Sequence, residues 1–142
     1  MSVYFSNGDI NFSLENEPLI KKWIAEIINK HDKKIGRINY LFCSDQMVYD
    51  MNVRFLNHDT FTDIITFDSV EGNLISGDII ISVDRVEENS KAYSVSFENE
   101  LCRVIIHGIL HLLGFKDKSP DDEATMRAKE NESLQILDSM TE

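Results

Sequence analysis

The chain has 142 residues, 42% of them apolar and 27% charged, and a formal net charge of −11. That length accommodates one domain with a core of its own, and no stretch approaches the roughly 20 apolar residues that cross a bilayer. So large an acidic excess argues against a general binder of nucleic acid, DNA included, because phosphate contacts need Lys and Arg.

MSVYFSNGDINF lacks the basic start and apolar segment of a secretion signal. Within it, VYFSN reads as a short strand. Pro18 fits the first turn of a helix, and Leu19, Ile20, Trp23, Ile24, Ile27 and Ile28 recur at helical spacing as far as Lys30. A basic window overlaps this helix. Residues 21–37 hold Lys21, Lys22, Lys30, Lys33, Lys34 and Arg37 against Glu26 and Asp32, so the window is net +4 and the rest of the chain −15. It reads as a solvated helix face, with a phosphate-tracking patch as the alternative.

Gly36 precedes RINYLFC, whose Ile38, Tyr40 and Phe42 alternate as in a half-buried strand. Ser44 is the N-cap expected for a helix over 45–56. Two Ile-rich runs, TDIITF (62–67) and GDIIIS (77–82), are joined by a loop around EGN and suit inner strands. From Asp84 the pattern is helical: VDRVEENSKAYSV, FENELCRVIIHGILHLLGF and DDEATMRAKENESLQILD. The expectation is an α+β fold, a small mixed sheet of about four strands packed with about five helices, forming a single domain over 1–142. Cys43 and Cys102 stand isolated, as small reduced residues in the core of a cytoplasmic protein do.

The helix over 97–113 is apolar nearly all round from Val104 on, so it is expected to be buried. At about 100° per residue, Glu100, His107 and His111 fall within roughly 40° of one another, with Arg103 beside them. Two histidines at i and i+4 can reach one cation. Gly114 fits the left-handed position that ends a helix, and the returning chain can carry Asp117 to the same point. The spacing H-x₃-H-x₂-G-x₂-D thus offers three metal ligands, His107, His111 and Asp117, and leaves a fourth tetrahedral position open, as catalytic zinc sites do. Two hydrogen-bonded core histidines are the competing reading. The segment departs from the metalloprotease pattern HExxHxxGxxH, because Gly108 stands where the helix-borne general base would be.

HGILHLLGFKD resembles the HGxLHLxGxDH signature of the YbeY family, bacterial endoribonucleases that act in ribosomal RNA maturation and ribosome quality control. MNVRFLNHDTFTDIITFD is similar to that family's LNxxYRxxDxxTDVLSF, GDIIIS to its GDIxIS, and EATMRAKENESLQIL to its closing helix. The resemblance covers most of residues 45–138 in order and spacing. It implies a single-strand-specific, metal-dependent endoribonuclease with one ion, zinc first and other divalent metals possible, acting on rRNA precursor alongside ribosomal components, with no membrane.

Carried over by position, His107 and His111 match two ligand histidines and Asp117 stands where a third is expected. That exchange lowers the site's formal charge from +2 to +1, implying a less acidic bound water and a less zinc-exclusive site. The family arginine associated with RNA phosphate falls on Leu56. Arg54, two residues earlier, is a weak substitute and reads as a surface residue. No side chain presents itself as general base, so the water on the metal is the candidate nucleophile, beside the RNA's own 2′-OH. A ribosome-assembly protein with a structural metal and a metallohydrolase on another substrate are the alternative functions. His31 and His58 read as surface residues. Asp63 and Asp78 read as turn and cap residues at strand ends, with a place near the metal cleft as the alternative. Glu100 and Arg103 read as an i,i+3 pair, with Glu100 the alternative partner for His107.

Overall fold

The computed structural model describes residues 2–141. Strands and helices alternate along the chain as β1 (Ser2–Asn7), α1 (Glu17–Lys30), β2 (Lys34–Cys43), α2 (Asp45–Leu56), β3 (Ile64–Asp68), β4 (Leu74–Ser82), α3 (Val83–Ala92), α4 (Phe97–Leu112) and α5 (Pro120–Met140). The expected α+β class, mixed sheet and element counts are all present.

The sheet runs β1-β2-β4-β3. β1 and β4 each pair parallel with β2, and β3 pairs antiparallel with β4. Alternation sorts the strand side chains to two faces. Ile38, Tyr40, Phe42, Ile79 and Ile81 join α1, α4 and α5 in the main core, with Trp23 and Ile105 fully buried among them. Cys43, Ile65 and Ile80 face the other way, against Val48 of α2. Two buried polar groups tie the layers: Trp23 Nε1 donates to Ser133 O and the Tyr40 hydroxyl donates to Ile105 O, each at 2.8 Å. Both cysteines are free, and burial pushes each thiol up to about 11.

The structure revises one strand position and two boundaries. β3 is an edge strand rather than an inner one. β2 begins at Lys34, so Gly36 lies inside it, at the irregularity between Ile35 and Ile38. A Cβ at Gly36 would stand 2.0 Å from Ser76 Oγ, which accepts from Arg37 N instead, so a side chain is excluded by the neighbouring strand. β4 starts at Leu74 because Leu74 and Ile75 already pair with Lys34 and Ile35. Among the described residues, no helix is long and apolar enough to cross a membrane.

Candidate metal centre

Helix α4 is fixed at both ends. Ser96 Oγ accepts from Asn99 N at 3.1 Å where it begins. Where it ends, Gly114 N donates to His111 O and Phe115 N to Leu110 O, both at 3.0 Å. This is a Schellman closure, and Gly114 takes the required positive φ of 105°, which side chains at Cβ disfavour. The turn sends the chain back beside the helix, and Asp117 arrives at the histidine stripe.

Asp117 Oδ2 lies 3.2 Å from Nε2 of His107 and 3.2 Å from Nε2 of His111. One donor atom from each of the three residues falls within 4.8 Å of the others. Ligands at about 2.1 Å from a tetrahedral zinc stand about 3.4 Å apart, so this spacing fits one ion. The other ring nitrogens are engaged. His107 Nδ1 is 2.7 Å from Glu130 Oε2 and His111 Nδ1 is 3.0 Å from Phe115 O. Both partners accept, which places a proton on each Nδ1 and leaves each Nε2 lone pair aimed towards Asp117. Three acceptors meeting at one point repel unless a proton or a cation lies between them, and the nitrogen and oxygen donor set suits a divalent ion.

Glu130 reaches this site from α5, which buries Met126, Glu130, Ser133 and Leu137 along one stripe. Its carboxylate also accepts from Arg103 Nη1 at 3.0 Å, while Arg103 Nη2 donates to Asn131 at 2.9 Å. The expected Glu100–Arg103 pair is therefore not formed, and Glu130 rather than Glu100 partners His107. A buried carboxylate on α5 needs donors, and Arg103 and His107 supply its two hydrogen bonds. Burial raises the proton affinity of Glu130, but the His107 and Arg103 hydrogen bonds outweigh it and hold this carboxyl below its usual range. Burial likewise pushes His107 down, and the bond and charge of Glu130 lift it above its ordinary value. Glu100 stays buried without such donors, so burial, and then the charge of Asp63, hold its carboxyl high.

A cleft of about 630 Å³ opens beside the three residues, walled by Asn52, Leu56, His58, the segment Thr62–Thr66, Asp68, Leu112 and Lys118. Asp63, expected as a turn residue, lines it, and burial holds its carboxyl above the usual range while His107 opposes this. His58, expected on the surface, is exposed but also lines the cleft. Arg54 is exposed on α2 and lies outside the lining, whereas Leu56 is part of it.

The basic window also lies elsewhere. Lys30 pairs with Glu132 and Lys21 with Glu17, and no residue of the window lines the cleft. His31 is half-buried, its Nδ1 2.8 Å from Ile27 O and its ring edge-on to Phe115. Asp78 stays at the sheet, accepting from Asn39 at 3.1 Å. Gly108 faces the sheet, where a Cβ would meet Ile79 and Ile64 at 3.0 and 3.1 Å.

Sequence reasoning missed Glu130, although a charged residue on the apolar stripe of α5 was the available signal. For Asp63 and Lys118 no local pattern existed, since their place depends on β3 and the Gly114 turn meeting in space.

A family model described as Endoribonuclease YbeY matches residues 4–138. Relatives called Endoribonuclease YbeY include one from Flavobacterium johnsoniae, 52% identical over 131 residues, which are 92% of this chain and 94% of the relative. Another, from Porphyromonas gingivalis, is 53% identical over 119 residues, covering 84% and 79% of the two chains. The solution structure of TM1509 from Thermotoga maritima superposes with a TM-score of 0.66 at 26% identity, over 95% of this chain and 88% of that one.

Proposed function

The chain belongs to the YbeY family of endoribonucleases, enzymes of ribosomal RNA maturation, and we propose that His107, His111 and Asp117 hold the divalent cation, zinc first, with which it hydrolyses single-stranded RNA. The convergence of both Nε2 atoms on one Asp117 oxygen, at 3.2 Å each, carries this reading. We read residues 1–142 as one such domain working in the cytoplasm with ribosomal components.

When bound, the cation supplies a Lewis acid for the phosphoryl oxygen and a nucleophile at neutral pH. The chain's own residues do the rest. Phe115 O and Glu130 hold the two imidazoles in the ligating tautomer. The cleft admits a nucleotide-sized group beside the centre. Asp63, on its wall, is a carboxyl able to hold a proton next to the reacting phosphate. Gly108 is turned into the sheet, so the helix-borne base of peptide hydrolysis has no counterpart at that position.

The test pairs zinc-loaded protein with its His111→Ala variant on single-stranded RNA and on casein. RNA cleavage that is lost in His111→Ala, with casein intact, is the expected result. Cleavage that persists in the variant overturns the reading. If neither substrate is cut and metal removal sharply lowers the melting temperature, the cation is structural.

A further inference from the structure

We propose that Lys118 and Arg127 bracket the metal centre and take the phosphates of the RNA strand on its two sides; the proposal rests on the endoribonuclease reading above. Two hollows meet at His107 and Asp117. One is the 630 Å³ cleft, lined by Lys118, and the other is a depression of about 310 Å³ lined by Arg127. A strand laid across the centre occupies both.

No other Lys or Arg lines either hollow. Arg103 is committed to Glu130 and Asn131, Arg54 is not among the residues lining the cleft, and Leu56 occupies its wall. The basic window of residues 21–37 does not line it. Lys118 makes no ion pair among the described residues. Arg127 has one, to Glu130 at 3.6 Å, and keeps 59% of its side chain exposed. Asp63 and Asp68 also line the cleft, and the chain carries −11, so a polyanion approaching this face meets repulsion that local cations must offset.

Both cations ride on elements already fixed by the centre. Lys118 follows Asp117 on the chain returning from Gly114, and Arg127 lies one helical turn before Glu130 on α5. Their spacing relative to the ligands is thus set by the same contacts that build the site.

Binding of a fluorescein-labelled 2′-O-methyl oligouridylate to the zinc-loaded full chain, followed by anisotropy over a salt series, tests this. Lys118→Ala and Arg127→Ala are each expected to weaken binding and to flatten the slope of log K against log salt by about 0.7, the value for one phosphate contact on a single strand. On cleaved RNA, each variant raises KM more than it lowers kcat. The double variant Lys22→Ala/Lys34→Ala, in the basic window, is expected to keep the parent slope, with circular dichroism melting confirming that every variant is folded. Unchanged slopes in Lys118→Ala and Arg127→Ala, or a lowered slope in the window variant instead, overturn the proposal while leaving the nuclease reading intact. A parent protein that neither binds the oligonucleotide nor cuts RNA overturns both.

Discussion

Glu130 Oε2 lies 2.7 Å from His107 Nδ1 across 23 residues of chain, and its other oxygen is held by Arg103 at 3.0 Å. A carboxylate behind a ligating imidazole fixes the ring's tautomer and raises its basicity. Removing its charge while keeping its shape is therefore expected to weaken metal binding. Glu130→Gln is predicted to lose about 10- to 100-fold in zinc affinity, read by competition with a chromophoric chelator. An unchanged affinity would mean that Glu130 serves only packing.

The same pair predicts how the metal-free protein responds to pH. Glu130 is held below its ordinary 4.5, so its contribution is present above that value and is lost as pH falls through the lowered pKa. His107 is lifted above its ordinary 6.5, so its contribution is complete below that value and is lost as pH rises through the raised pKa. These are two views of one interaction, not two energies. Chelator-treated protein should show the pair's full stabilisation between roughly pH 4.5 and 6.5 and melt lower on either side. Glu130→Gln should flatten that profile, and a parent-like profile in the variant would count against the assignment.

Asp117 stands among two imidazoles as the sole charged ligand candidate. Exchanging it for imidazole raises the site's formal charge by one and replaces a hard oxygen with a borderline nitrogen. In Asp117→His the acid limb of the RNA cleavage profile is expected to move to lower pH, and competitive loading should favour zinc over manganese more strongly than in the parent. An unmoved acid limb together with an unchanged metal preference would show that Asp117 does not bind the ion.

Gly108 sits against Ile79 and Ile64. Placing a carboxylate there, as in Gly108→Glu, recreates the protease-like sequence but aims the new group into an apolar layer. The expected outcome is destabilisation of about 2 kcal/mol or more, seen in chemical denaturation, with no casein hydrolysis. A stable variant that cleaves casein would show that position 108 faces the cleft.

Much of this was legible in the sequence because it depends on short spans of chain. Helical periodicity marked α1 and α4. The i, i+4 spacing set His107 beside His111, and Gly114 announced the turn that returns Asp117, since a left-handed residue at that position closes a helix whatever surrounds it. Ser44 capped α2 as expected, accepting from Met47 N. Boundaries set by strand pairing were not legible: Gly36 reads as a breaker locally, yet it is kept inside β2 because Ser76 occupies the space of a side chain.

The site's surroundings were decided only by the tertiary structure. Whether Arg103 turns to Glu100, three residues away, or to Glu130, 27 residues away, depends on where α5 packs. The desolvation that leaves a buried carboxylate needing donors exists only once that packing is made. In the same way Lys118, Asp63 and Leu56 carry no shared pattern in the chain. They become one cleft because β3 lies at the sheet edge beside α4. The sequence by itself determined the three candidate ligands, whose geometry is helical and local. Folding decided what holds them in place and which charges stand around them, because those contacts are long-range.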